Sequence, residues 1–133
     1  MRSLARECVL KYLFAKFFNP GDEELFAVLL KDEKLTKDDC DFAQCLLDNI
    51  EKNQEVYFSK IEEKVKSFSF NRIFPIDKLC ISIGLCELEN FKDTPVPVII
   101  DEAVKLSAKF STEKSPDFVN GVLSKMALEI RNV

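Results

Sequence analysis

The stretch "IDKLCISIGLCELENF", residues 76–91, decides the fold. Ile76, Leu79, Ile81, Ile83, Leu85 and Leu88 do not keep to one side of a helix. A helix that is apolar nearly all round is buried on several sides. This one therefore belongs at the centre of the C-terminal half. The segments around it repeat apolar residues every three or four positions, the period of amphipathic helices with one buried face.

Working outward, Thr94-Pro95 reads as a cap followed by Pro in the first turn of a helix running to about Phe110. Its stripe is Ile99, Ile100, Ala103, Val104 and Leu106. Ser115-Pro116 repeats the device for a last helix carrying Phe118, Val119, Val122, Leu123, Met126, Ala127 and Ile130. Towards the N-terminus, residues 3–18 place Leu4, Ala5, Cys8, Val9, Tyr12 and Leu13 on one face, and Asn19-Pro20-Gly21 breaks that helix. Asp22 is positioned to cap a short helix bearing Leu25, Phe26, Leu29 and Leu30. Thr36, with Asp39 three residues on, starts a third along Phe42, Ala43, Leu46, Leu47 and Ile50. A fourth carries Tyr57, Phe58, Ile61 and Val65. Residues 67–75, "SFSFNRIFP", alternate like a strand, but Pro75 and the helical surroundings make them a linker. The expectation is an all-α bundle of about seven helices. It forms a single domain over 1–133, with helical halves at about 1–66 and 74–133.

Composition narrows the chemistry. At 47% hydrophobic and 32% charged, a chain of 133 residues has a soluble composition and enough length for a core without staples. Five cysteines (Cys8, Cys40, Cys45, Cys80 and Cys86), no zinc spacing and no histidine read as free thiols in a reducing compartment, most of them filling a core. No apolar run reaches membrane length and no signal-peptide pattern opens the chain, so the expected location is cytoplasmic. Without histidine, a Ser-His or Cys-His nucleophile pair is impossible, and three glycines form no phosphate loop. Glu87, an acid on the apolar helix, is expected to be satisfied by a cation or a neighbouring helix end. Asp101 and Glu102 point about 100° apart and cannot share a proton. No enzyme, metal, cofactor or small-molecule substrate is expected.

A net charge of −4 argues against a strong unaided nucleic-acid binder, but the charge is uneven. Residues 1–18 carry four bases against one acid, whereas 22–64 carry thirteen acids against six bases. In the last helix Lys114 and Phe118 stand at the N-terminal turn. A phosphate is favoured by free N–H groups there, and an aromatic there can stack on a base. Asn120-Gly121 costs that helix roughly 1 kcal/mol relative to Ala. Gly121 is expected to admit a neighbouring helix, and Asn120 to bond to its backbone or to a ligand.

Three segments carry a resemblance. "IDEAVKLSAKFSTEKSPDFVNGVLSKM" (100–126) resembles the C-terminal signature of the NusB family of bacterial transcription antitermination factors, an E-A-V element followed by F-V-N-G-V-L. "FSFNRIFPIDKLCISIGLCEL" (68–88) is similar to that family's W-x-x-x-R-L segment and the Y-E-L helix after it. "LARECVLKYLF" (4–14) is similar to its opening helix. The resemblance implies a factor that binds boxA-type RNA as a heterodimer with the ribosomal protein NusE. It acts within the RNA polymerase antitermination complex on ribosomal RNA operons. It implies RNA contacts at Arg2, Arg6, Phe14, Lys114, Phe118 and Asn120, with the two Arg and the Lys114/Phe118 pair adjoining. It places NusE at Asp77, Lys78 and Ile81. The family's N-terminal arginine run is reduced here to Arg2 and Arg6; Phe68, Ser82, Cys86 and Asp101 replace its commoner Trp, Arg, Tyr and Asn. RNA binding is therefore expected to depend more on the partner. Two alternatives remain at this stage. One is a protein-interaction adaptor that has lost most RNA binding. The other is a NusB-like module related to ribosomal RNA methyltransferases, disfavoured by the absence of their glycine-rich loop and catalytic Cys motif.

Overall fold

A computed structural model describes residues 2–66 and 73–131, and these form six helices with no strand among them. They are α1 (Arg2–Lys16), α2 (Leu25–Asp32), α3 (Lys37–Val65), α4 (Pro75–Asn90), α5 (Val96–Phe110) and α6 (Ser115–Arg131). The strand-like stretch lies outside the described residues except for Ile73, Phe74 and Pro75.

The helix count falls by one because the expected third and fourth helices are a single rod. Residues 51–56, between their stripes, contain no Gly or Pro. Asn49 and Asn53 bond back to the carbonyls of Cys45 and Asn49, at 2.8 and 2.9 Å, instead of ending the helix. The resulting 29 residues span about 43 Å. Thr36 caps α3 as expected, its Oγ1 accepting from the Asp39 N–H at 3.2 Å. Asp22 does not cap α2; the cap position is Glu24, whose side chain makes no capping bond.

Helix α4 is the hub. Every residue from Leu79 to Leu88 is buried, and α1, α3, α5 and α6 all pack against it. Gly84 lets α6 come close: a Cβ there would stand 2.7 Å from Leu123 Cδ1. Cys80 and Cys86 fill space in this core, and burial pushes both thiols up to about 12. Among the described residues every buried side-chain nitrogen and oxygen has a hydrogen-bond partner.

The C-terminal end of α4 is sealed by charge. Arg6 Nε and Nη2 donate to Glu87 Oε2 and Oε1 at 2.8 and 2.7 Å, with both side chains at most 4% exposed. Glu102 adds a second carboxylate 3.6 Å from Arg6 Nη1 and accepts from Ser3 Oγ at 2.8 Å. Glu87 thus finds the cation expected of it, and the cation is Arg6. Arg131, at the end of α6, donates to the carbonyls of Glu87, Leu88, Phe91 and Thr94. These include carbonyls that the end of α4 leaves without helical partners, and a cation there also suits the helix dipole.

Candidate nucleic-acid interface

The N-terminal end of α4 is finished differently. Asp77, in its first turn, accepts from Ser111 Oγ at 2.5 Å and from Ser115 Oγ at 2.9 Å. Ser115 Oγ in turn accepts from the Thr112 N–H at 3.1 Å. This buried knot fixes the α5–α6 turn against α4 and sets the position of the first turn of α6. Above it lies a cleft of about 380 Å³ lined by Phe74, Phe118, Lys114, Thr112, Glu113 and the Asp77–Ser115 pair. Lys114 is exposed and Phe118 half-buried. The arrangement offers aromatic rings, a cation beside them and hydroxyl groups at the floor, which are the elements that hold an unstacked base and its phosphate.

A second cleft, about 260 Å³, opens beside it where α1 ends. Phe14, Phe17, Phe18, Phe58, Ile73, Pro75 and Lys78 line it. Phe17 and Phe18 are 48% and 76% exposed and pack edge-on against Phe14, with ring centres 6.3 and 5.3 Å away. Phe74, 49% exposed, stands between the clefts. A run of large apolar side chains left in solvent marks an interaction surface.

The structure gathers some of the expected residues here and removes others. Phe14, Lys78, Lys114 and Phe118 all face this end of α4. Lys78 lies 4.8 Å from the Phe58 ring centre and 3.2 Å from Glu62 Oε1. Arg2 and Arg6 do share a helix face, both guanidinium groups lying over the Phe42 ring. That face is at the other end, because α1 runs antiparallel to α4 with Arg6 at Glu87 and Phe14 near Lys78. The ten-residue interval from Asp77 to Glu87 is about 15 Å of helix. The two RNA patches therefore do not adjoin. Arg6 is also corrected as a phosphate contact: it is buried and its charge is committed to Glu87. Asp77 and Ile81 are corrected as partner contacts. Asp77 is the buried acceptor for two serines, and Ile81 is wholly in the core. Asn120 is exposed but outside the cleft, since two residues beyond Phe118 turns it about 200° around α6. Phe17, Phe18 and Phe74 were not foreseen. The available signals were a Phe-Phe pair before the Asn19-Pro20-Gly21 break and a Phe placed just ahead of Pro75.

Fold and surface together define an all-α binding protein, a helical scaffold presenting aromatic and basic side chains around two open clefts. Comparison with known proteins makes this specific. Residues 3–128 match the NusB family, and the chain belongs to it. The transcription antitermination protein NusB of Ruminiclostridium cellulolyticum is 33% identical over 127 residues, covering 95% of this chain and 88% of that protein. Its namesake in Clostridium novyi is 34% identical over 131 residues, covering 94% and 96%. Among solved structures, T. maritima NusB superposes with a TM-score of 0.83 at 30% identity, covering 100% of this chain and 98% of that one. A chain from a complex of antitermination factors NusB and NusE with double-stranded RNA gives 0.82 at 26% identity, covering 96% of each.

Proposed function

We propose that this protein is a transcription antitermination factor. As a single NusB-like domain in the cytoplasm, it binds boxA-type RNA together with the ribosomal protein NusE. It serves within the RNA polymerase antitermination complex as an adaptor without a chemical step. The observation that carries the site is the pairing of Lys114 and Phe118 in one cleft with Phe74. Lys114 neutralises a phosphate, and Phe118 stacks on a base. NusE occupies the neighbouring surface at the end of α1, where Lys78 and Phe14 lie. Arg2, exposed at the far end, meets the phosphates of a longer strand. Asn120 is at most a peripheral contact.

Binding of a boxA-type oligonucleotide, measured with and without NusE, tests this. The expected result is weak binding alone and tight binding with NusE, both weakened by Lys114→Ala and by Phe118→Ala. Tight NusE binding with no RNA binding under either condition would instead identify the protein-interaction adaptor. The burial of Arg6 favours that second reading to the extent that it removes one of the two N-terminal arginines.

A further inference from the structure

The segment Ile73-Phe74-Pro75 separates the two clefts. Phe74 has an extended backbone, with φ −67° and ψ 141°. Successive side chains of an extended chain point to opposite sides. Phe74 accordingly lines the cleft of Lys114 and Phe118, while Ile73 and Pro75 line the cleft of Phe14, Phe17 and Phe18. The clefts thus share a single wall.

Their chemistry differs. The α6-side cleft has hydroxyl, carboxylate and ammonium groups beside its rings. Among the described residues, the only charged one lining the α1-side cleft is Lys78, already beside Glu62. A nucleobase has a polar edge, costly to bury without partners. The α1-side cleft therefore suits an apolar or aromatic side chain of a protein, and the α6-side cleft suits the RNA.

We infer that Phe74 is a positioning residue that couples the two ligands. The inference rests on the function proposed above and assigns the α1-side cleft to an apolar side chain of NusE. Packing against Ile73 and Pro75 immobilises the wall from one side and holds the Phe74 ring ready on the other. A half-exposed ring loses freedom when a base stacks on it. Immobilising it beforehand removes that loss from the RNA step. The coupling is reciprocal, so RNA also tightens NusE.

Anisotropy titrations of a boxA-type oligonucleotide, with and without saturating NusE, give the coupling as a ratio of dissociation constants. The native chain should show a ratio of about 5- to 100-fold. Phe74→Ala should reduce that ratio about fivefold or more, with little change in NusE binding to the RNA-free protein. Lys114→Ala should weaken RNA binding equally in both titrations and leave the ratio alone. Phe74→Tyr, which keeps the ring, should restore it. Should Phe74→Ala fail to fold, Phe74→Leu carries the same test. An unchanged ratio, in a native chain that still binds both ligands, overturns the inference and leaves the proposed function standing. A native chain that binds no RNA even with NusE overturns the proposed function and the inference with it. RNA binding weakened by Phe17→Ala with Phe18→Ala, in the absence of NusE, places RNA in the α1-side cleft and also overturns the inference.

Discussion

At its C-terminal end α4 delivers Glu87 to Arg6 and its last carbonyls to Arg131. At its N-terminal end it delivers Asp77 to two serines and leaves Phe74, Phe118 and Lys114 in contact with solvent. Both ends have their buried polar groups satisfied. They differ in what lies over those groups: the first turn of α1 and the end of α6 at one end, open clefts at the other. A closed end spends its charges on holding helices together, and an open end keeps its side chains for a ligand. Cations counted along the sequence are therefore not all available to RNA. Arg6 belongs to the scaffold, whereas Lys114 belongs to the surface.

The largest effect that can break this comparison is at the closed end. Arg6→Ala leaves Glu87 buried with its main counter-charge removed. Losing one partner of a buried pair is expected to cost about 3–5 kcal/mol, read by urea denaturation. A loss below about 1 kcal/mol would mean that water reaches Glu87 and that this end is open too.

Next is Phe118→Ala at the open end. Removal of one stacking ring should weaken RNA binding by about 1–3 kcal/mol while the protein remains folded at the assay temperature. If stability falls steeply and RNA affinity does not, Phe118 is core and the α6-side cleft is not the RNA site.

Between the ends, Gly84→Ala probes what keeps them in register. The new methyl meets Leu123, which is fully buried and has little room to turn aside. Overpacking costs about 1–3 kcal/mol, and the gain in helix propensity returns about 1, so a net loss of about 1 is expected in a thermal melt. An unchanged or higher melting temperature would show that Leu123 yields.

Much of the fold could be read from local pattern. The all-round apolar run 76–91 placed α4 at the centre, and the capping of α3 by Thr36 followed from spacing alone. Merging the third and fourth helices could not be read as easily, since polar residues at 51–55 are equally compatible with a loop or an exposed helical turn. The site was less accessible for a different reason. Arg2 and Arg6, four residues apart, look alike in sequence, and only the docking of α1 on α4 decides that one is buried. Glu87 plainly needed a cation, but which one is a tertiary matter. A close approach of α4 and α6 is seen at Gly84, whose apolar neighbours Ile83 and Leu85 give it no turn signal in the sequence; Gly121 is half-buried and Asn120 is on the surface. Phe74 was hidden by its linker context: one extended residue before a proline gives no periodicity to detect.

The smallest effect concerns Arg2, which has the helix face of Arg6 and the exposure of Lys114. Its guanidinium lies 4.4 Å from the Phe42 ring centre, an exposed cation–π contact worth about 0.5–1 kcal/mol. Arg2→Ala should therefore change stability little. Its effect on RNA should depend on strand length. The α6-side cleft is about 15 Å away along α4, beyond a Debye length of about 8–10 Å, so an RNA confined to the cleft does not feel Arg2. With such a short oligonucleotide the salt dependence of binding should be the same in Arg2→Ala and the native chain. With a strand several nucleotides longer, a phosphate can reach Arg2. The logarithmic salt slope should then fall by about 0.7, the counterion release of one single-strand contact. Lys114→Ala should lower the slope by that amount at either length. A fall in Arg2→Ala with the short strand would mean that RNA lies across the closed end, and the division between the two ends of α4 would have to be redrawn. No fall at either length would leave Arg2 as a lid over Phe42 and restrict the RNA surface to the open end.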